Sequence, residues 1–349
     1  MSSPTLKTPS QVPEPIPTNS RTNVRMNARN GRAFLASRRG SLVVTSGLFV
    51  VMFGGAALRY PGFLSGQVFL NLFVDNSFLI VLAVGMTFVI LTGGLDLSVG
   101  SLVGLTTVIA ATLLRAGWPA PIVIVLVIAV GSTSGLLVGI AVHYFEIQPF
   151  VATLIAMFLA RGLCYVISPN AIAVINPFFV TMAQAQIPIG FGLVISPSVI
   201  IALATVVLAI FVLHYTRFGR TVYALGGSRQ SALLMGLADG RTRVLVYVVS
   251  GFCAALGGIL FTFYTLSGDS SAGIGMELDA IAAVVIGGTI LTGGTGYVLG
   301  SLLGVLVLGL INTIINYDGT LSTWWASIVT GLLLLVFVML QRFVIARKR

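Results

Sequence analysis

Residues 68–92 read VFLNLFVDNSFLIVLAVGMTFVILT, an apolar run with few polar side chains. A transmembrane helix needs about 20 predominantly apolar residues to cross the hydrocarbon core of a bilayer. The run is long enough, and its apolar residues do not alternate with polar ones as they do in a membrane β-strand. It therefore predicts a membrane-spanning helix.

The composition extends this prediction to the whole chain. Apolar residues make up 57% of the 349 residues, charged residues make up 8%, and glycine occurs 40 times. Soluble domains carry about 25% charged residues, so this chain has too few charges to cover a water-facing surface. Backbone polar groups in lipid are satisfied only in helices or closed barrels. We therefore expect an all-α, polytopic membrane helix bundle.

Apolar windows of similar length recur along the chain and predict about ten transmembrane helices. Almost no connecting loop separates the second window from the third, at Gly93-Gly94, or the eighth from the ninth, at Gly293–Gly296. Each of these places is a tight turn, a broken helix or a re-entrant segment. The predicted spans are residues 41–58, 68–92, 97–114, 119–141, 151–168, 197–214, 244–266, 278–293, 297–316 and 323–341.

The basic residues set the predicted orientation. The N-terminal tail, loop 215–243 and the C-terminus hold seven, five and four of the nineteen lysines and arginines. Alternating spans place all three segments on one side, and cytoplasmic loops carry an excess of Lys and Arg. Both termini are therefore expected in the cytoplasm. The net charge of +10 is a topology signal and not a nucleic-acid footprint.

Residues 1–40 differ in composition from the rest of the chain. Prolines alternate there with Ser, Thr and Asn, and arginines follow. This pattern predicts a disordered, basic, Pro-rich cytoplasmic tail ahead of a transmembrane domain over residues 41–345. A cleaved signal peptide is disfavoured, because the first apolar run starts only after about 40 residues and many spans follow it.

The chain offers little catalytic chemistry. Its two lysines, Lys7 and Lys348, lie in the tails, which excludes a phosphate-binding GxxxxGK[ST] loop. Cys164 and Cys253 lie in separate apolar stretches, and no His and Cys cluster has metal-ligand spacing. The nearest approach to an intramembrane nucleophile is Ser270, which topology places a membrane's thickness from either histidine. We expect no metal, no cofactor and no enzyme activity in this chain.

Two glycine-rich segments interrupt the apolar pattern, GGLDLSVGS at residues 93–101 and GGTILTGGTG at residues 287–296. Glycine pairs let a helix stop or let two backbones approach closely. The longer stretches 90–104 and 290–304 match at nine of fifteen positions. They are either a duplication or a convergent helix-packing pattern.

Polar residues near these segments are candidates for a solute path. Asp96 and Ser98 either cap the following helix or line a cavity where helix ends meet a polar solute, and the two interpretations are compatible. Ionisable groups in a membrane are costly, and Asp75 and Arg161 are expected to form an ion pair. The candidate path residues are Asp75, Asn76, Thr92, Asp96, Ser98, Asn312 and Asn316.

The longest predicted cytoplasmic loop, residues 215–243, has its own helix signals. Gly226-Gly227 breaks the chain, Ser228 is a candidate cap for a short helix, and Gly236 is a candidate end for it. The loop is either a surface connection that obeys the charge rule or a docking helix for a soluble partner.

Three runs carry a resemblance to a known family. GMTFVILTGGLDLSVGS at residues 85–101, TRFGR at 216–220 and YALGG at 223–227 resemble the signature of ABC sugar importer permeases of the ribose, xylose and galactoside type. The resemblance covers residues 41–345. A finer likeness to a galactofuranose importer permease subunit rests on ELDAIA at 277–282, DGTLS at 318–322 and Trp324-Trp325.

The resemblance implies a subunit of the bacterial inner membrane that moves a monosaccharide, galactofuranose or a similar sugar, from periplasm to cytoplasm. The implied partners are a cytoplasmic ABC ATPase, a homologous second permease or a second copy of this chain, and a periplasmic sugar-binding protein. The family docks its ATPase through an Ala-x-x-x-Gly helix, and Ser228 and Ser231 depart from the family's usual residues. The implied ATPase-coupling residues are Arg217, Gly219, Arg220, Gly226, Gly227, Ala232 and Gly236.

Two other classes of function stay open at this point. An ion-coupled secondary transporter of a small polar solute needs titratable groups near the membrane centre, for which Asp75 and Asp96 are the candidates. An intramembrane enzyme would depend on Ser270.

Overall fold

The computed structural model describes residues 40–320, 322 and 324–346. The disorder predicted for residues 1–40 therefore concerns a segment that lies outside the described residues, apart from Gly40. The helices are α1 (Gly40–Arg59), α2 (Gly66–Asp75), α3 (Ser77–Leu91), α4 (Val99–Arg115), α5 (Ala120–Tyr144), α6 (Pro149–Ile167), α7 (Pro177–Gln184), α8 (Pro197–Tyr215), α9 (Arg217–Gly227), α10 (Arg229–Leu234), α11 (Asp239–Thr265), α12 (Met276–Ile286), α13 (Val298–Asp318) and α14 (Trp324–Ala346). The strands are β1 (Ile172–Ala173), β2 (Ile187–Gly190), β3 (Leu193–Ile195) and β4 (Ser267–Gly268).

The helices confirm the predicted polytopic membrane bundle, and each predicted span overlaps at least one helix. Among the described residues, six helices are long and apolar enough to cross a membrane, namely α1, α5, α6, α8, α11 and α13. The bent pair α2 and α3 forms a seventh candidate span. Because α4 and the apolar part of α14 are shorter, the count of ten stays a prediction.

The span predicted over residues 278–293 is wrong at its C-terminal end. Helix α12 has 11 residues and ends at Ile286, so it rises only about 16 Å. The chain then leaves the helical conformation at Gly288, where φ is +92°, and Gly293 and Gly294 also have positive φ. An α-helix needs negative φ, so a residue with positive φ interrupts it. Glycine is the residue that adopts positive φ without strain, which explains why the interruption falls in this glycine-rich stretch.

The span predicted over residues 68–92 is a broken helix, with a bend of 58° between α2 and α3. Asn76 stands at the break, and its side-chain amide donates to the carbonyl oxygen of Leu72 at 2.8 Å. Asn76 also packs against Gly309 of α13, where a Cβ would overlap the amide. The break therefore depends on a small residue from another helix.

The most extensive contact between two helices is that of the antiparallel pair α5 and α11. Gly131, Gly135 and Gly139 lie four residues apart and so form one face of α5. A Cβ at Gly135 would overlap the carbonyl oxygen of Tyr247, and one at Gly131 would overlap that of Gly251. Small residues let membrane helices pack with their backbones in close approach.

The short strands lie at the end of the bundle opposite α9 and α10. Strand β1, after α6, pairs antiparallel with β4, after α11, and β2 pairs with β3 in a hairpin before α8. The side-chain amide of Gln67 donates to the carbonyl of Val194 at 3.0 Å and accepts from its N–H at 3.1 Å. This pair of bonds fastens the hairpin to the first turn of α2.

Candidate functional site

Three glycine-rich segments meet at one point, which we call the glycine junction: Leu91–Gly94, Gly226-Gly227 and Gly293-Gly294. The backbone N–H of Gly294 donates to the carbonyl oxygen of Leu91 at 2.9 Å. A Cβ at Gly226 would overlap both of these atoms, so the last turn of α9 touches the two interrupted segments directly. The junction joins loop 215–243 to the C-terminal end of α3 and to the stretch between α12 and α13.

The two similar stretches, 90–104 and 290–304, share a turn at the junction. Gly93 and Gly293 occupy equivalent positions and have φ values of +79° and +88°. Each donates its N–H to the carbonyl three residues earlier, at 2.9 Å in both cases. The stretches differ before the turn, because α3 continues to Leu91 whereas α12 ends at Ile286. Whether they are a true repeat stays a prediction.

Asp96 is buried beside the junction, with a relative exposure of 2%. Its Oδ1 accepts the N–H of Ser98 at 2.9 Å and the hydroxyl of Ser98 at 2.6 Å, and its Oδ2 accepts the hydroxyl of Ser250 at 2.7 Å. The expectation that Ser98 caps α4 through its side chain is wrong: Ser98 stands at the N-cap position, but its hydroxyl accepts no N–H of α4 and instead donates to Asp96. The carboxylate joins the break between α3 and α4 to α11.

The structure divides the other candidate path residues into two groups. Thr92 lies at the junction, where its hydroxyl donates to Val89, and Asn76 is buried at the α2–α3 bend. Asp75 is exposed next to Asn76. Asn312 and Asn316 are exposed one turn apart on α13, beyond the Gly309 that contacts Asn76. The exposed group thus lies along α2 and α13, whereas Asn76 is buried at the bend and Thr92 is half-buried at the junction. Their role in a path stays a prediction.

Arg161 has a different partner from the expected one. Among the described residues, Asp239 is the acidic group in every ion pair, so the pair predicted between Arg161 and Asp75 is wrong. Nη1 of Arg161 instead donates to the carbonyl oxygens of Ser270 and Ala272, at 2.6 and 2.8 Å. Two neutral carbonyl oxygens together accept from the guanidinium, so Arg161 is satisfied without an acidic partner.

Residues 268–275 form a non-helical segment, which we call the Arg161 loop because Arg161 holds it in place. The loop is non-helical and runs back along α4, with Gly268 against Thr107, Ala272 against Gly104 and Gly273 against Gly100. Irregular backbone at membrane depth is tolerated only where protein or a cavity surrounds it. Arg161 therefore satisfies carbonyls that a helix would otherwise pair.

Ser270 is buried within this loop and donates its hydroxyl to the carbonyl oxygen of Ser168. A nucleophilic serine needs a base within hydrogen-bond reach and an accessible oxygen. The bond to Ser168 gives Ser270 a structural use instead.

Loop 215–243 folds largely as its helix signals predict. Ser228 caps α10 by accepting the N–H of Ser231 at 3.3 Å, which confirms its capping role. Gly236 follows the helix with φ of +71°, which confirms its position as the end signal. Thr216 caps α9 in the same way, through the N–H of Gly219.

Ala232 and its neighbours on α10 face in different directions. Ala232 is fully buried, so it sets how α10 packs and does not form its outer surface. The following residues, Leu233, Leu234 and Met235, are exposed, and Leu234 reaches 85%. Arg217 and Arg220 are exposed on α9. Leu233, Leu234 and Met235 thus form an exposed apolar patch, which we call the apolar knob, and the neighbouring helix α9 exposes basic side chains.

Comparison with known proteins identifies the family. The family model described as "Branched-chain amino acid transport system / permease component" matches residues 68–338. The inner membrane ABC transporter permease protein YjfF of Escherichia coli (strain K12) is 44% identical, over 88% of this chain and 93% of the relative. The chain belongs to this family of ABC importer permeases. The fructose import permease protein FruG of Bifidobacterium longum is 47% identical over 79% of this chain and 83% of the relative.

A third relative shows how far the likeness extends. The ribose import permease protein RbsC of Haemophilus influenzae is 36% identical over 93% of this permease and 99% of the relative. The predicted membership among sugar importer permeases of the ribose and galactoside type is confirmed. The relatives in this family are transport subunits and not enzymes, and the likeness together with the membrane-spanning helices supports a multi-pass protein of the inner membrane. No solved structure matches the chain.

Substitution at the glycine junction tests its packing. Gly226→Ala is expected to reduce sugar uptake strongly, because the new Cβ overlaps the Leu91 carbonyl oxygen and overpacking costs about 1–3 kcal/mol. Gly227→Ala is the matched control, since a Cβ there meets no atom within 4 Å. Uptake per permease molecule in membrane vesicles is the measurement. Equal uptake by the two variants would contradict the close contact.

Substitution of Arg161 tests whether its hydrogen bonds stabilise the Arg161 loop. Arg161→Gln removes a charged donor from two carbonyls, and each such hydrogen bond contributes about 1.5–3 kcal/mol. The midpoint of thermal unfolding in detergent is expected to fall by several degrees. Arg115→Gln is the control, because Arg115 is exposed at the end of α4. A midpoint for Arg161→Gln that equals that of the control would show that the clamp contributes nothing.

Proposed function

We propose that the permease carries a monosaccharide into the cytoplasm through a channel formed with a second permease, and that a separate ATPase drives it. The observation that carries the proposal is the connection between α10 and the membrane interior. Helix α10 exposes an apolar knob to a partner, while α9 before it ends at the glycine junction. A partner bound to this segment would act on two interrupted membrane segments at once.

The ATPase is proposed as a partner because the chain lacks the means to bind ATP through a phosphate-binding loop. Such a loop needs a lysine, and the two lysines lie in the tails. The family of ABC importers implies an ATPase and a periplasmic binding protein as the other components. The second permease is a homologue or another copy of this chain.

The proposed orientation places both termini and loop 215–243 in the cytoplasm. Sixteen of the nineteen basic residues, seven, five and four in these segments, support it. The fold is compatible with this orientation, because α9 and α10 lie at one end of the bundle and the strands lie at the opposite end. The proposed docking surface then faces the compartment that holds ATP.

The proposed mechanism is alternating access. ATP binding and hydrolysis in the partner would shift the helices between outward-facing and inward-facing states, because a docked partner binds the two states differently. The periplasmic protein would select and deliver the sugar. The permease then needs only weak contacts with the solute, and exposed Asp75, Asn312 and Asn316 supply polar groups for them.

Substitution on the outer surface of α10 tests docking. Leu234→Glu is expected to abolish ATPase co-purification and uptake, because it places a charge in the apolar knob. Ile175→Glu is the matched control: both side chains are 85% exposed, but Ile175 lies near β1 at the opposite end of the bundle. Normal co-purification and uptake with Leu234→Glu would rule out docking through α10.

Galactofuranose, or a similar sugar, is the proposed cargo. The likeness of residues 277–282 and 318–322 to a galactofuranose permease supports this choice, whereas the relatives are named for ribose, fructose and galactose or methyl galactoside. In membranes that contain the whole importer, labelled galactofuranose is expected to enter faster than labelled ribose, fructose or galactose. Faster entry of one of those three sugars would identify a different cargo.

A further inference from the structure

Helix α10 is tied to α11 by an ion pair. Nε and Nη2 of Arg229, at the start of α10, donate to Oδ2 of Asp239 at 3.2 and 2.9 Å. Asp239 is the first residue of α11, and its side chain is only 7% exposed, whereas that of Arg229 is 53% exposed. Arg243, one turn further along α11, lies 3.7 Å from the other oxygen of Asp239.

The ion pair gives a short helix a defined direction. Helix α10 has six residues, fewer than two turns, and glycine or turn residues flank it on both sides. Such a segment has little stability of its own, so side-chain contacts decide its orientation. A carboxylate as buried as that of Asp239 is costly without its cation, so the pair resists opening.

The middle of α11 contacts the interrupted membrane segment. Eleven residues after Asp239, about 16 Å along the helix, Ser250 donates to Asp96 at the break between α3 and α4. The first turn of α11 is itself closely packed, since a Cβ at Gly240 would overlap the ring of His143 on α5. Helix α11 is thus a rigid connection between α10 and Asp96.

We propose that Asp239 is a positioning residue for energy coupling. Through Arg229 it fixes the direction of α10 on α11, so that movement of a docked ATPase displaces α11 and, through Ser250, the segment around Asp96. This route is separate from the contact of α9 at the glycine junction. The inference rests on the proposed docking of an ATPase on α10.

The test uses the assembled importer in liposomes and compares Asp239→Asn and Arg229→Gln with the unmodified protein. Both variants are expected to co-purify the ATPase normally and to hydrolyse ATP. The amount of sugar transported per ATP hydrolysed is expected to fall about tenfold or more, because an opened pair leaves α10 free to turn. Asp239→Glu keeps the charge and is expected to transport nearly as much sugar per ATP hydrolysed as the unmodified protein. Arg241→Gln, an exposed arginine on the same turn, is the control and is expected to leave the ratio unchanged.

Two results would overturn the inference. An unchanged transport ratio in both Asp239→Asn and Arg229→Gln would show that the pair does not transmit movement. Loss of ATPase co-purification together with the ratio would show that the pair only maintains the docking surface. Failure of the proposed docking is distinguishable from both, because Leu234→Glu would then co-purify the ATPase and transport normally.

Discussion

Lipid offers no water to satisfy an unpaired backbone N–H or C=O, and this requirement explains three places where the described part of the bundle departs from a helix. At the glycine junction the backbones satisfy one another, as the bond from Gly294 to Leu91 shows. In the Arg161 loop a side chain supplies the donors, because Arg161 contacts two carbonyls. At the α2–α3 bend, Asn76 returns a donor to Leu72.

These solutions differ in the movement that they allow. The junction is closed by glycines, so α9 reaches the two interrupted segments without intervening side chains, and a displacement of α9 is passed on directly. The Arg161 loop is fixed to α6 by a charged side chain that is expensive to leave unpaired in a membrane. The glycine junction is therefore suited to transmit movement, whereas the loop held by Arg161 is suited to stay fixed.

The apolar windows predicted where the helices lie, because the length of an apolar run is a local property of the sequence. The break at Asn76 was not predicted, since it depends on Gly309 of another helix. The end of α12 lies at the glycine pair Gly287-Gly288, which the sequence marks as a possible helix stop, but the predicted span continued past it to residue 293. The partner of Arg161 was wrong for a related reason: pairing of opposite charges was assumed, but the loop carbonyls are the nearer acceptors. Ser228 and Gly236 were predicted correctly because caps act within one turn.

The bonds of Asp96 bear on how α11 and the break can move. Its two oxygens accept three hydrogen bonds, two of them from Ser98 and the third from Ser250 on α11. If α11 moved without the segment around Asp96, a buried carboxylate would lose a donor in a place that water does not reach, which is costly. The break and α11 are therefore expected to move together as one body. Asp75, Asn312 and Asn316 are exposed and outside this network, so a solute can contact them without disturbing the packing that couples α11 to the break.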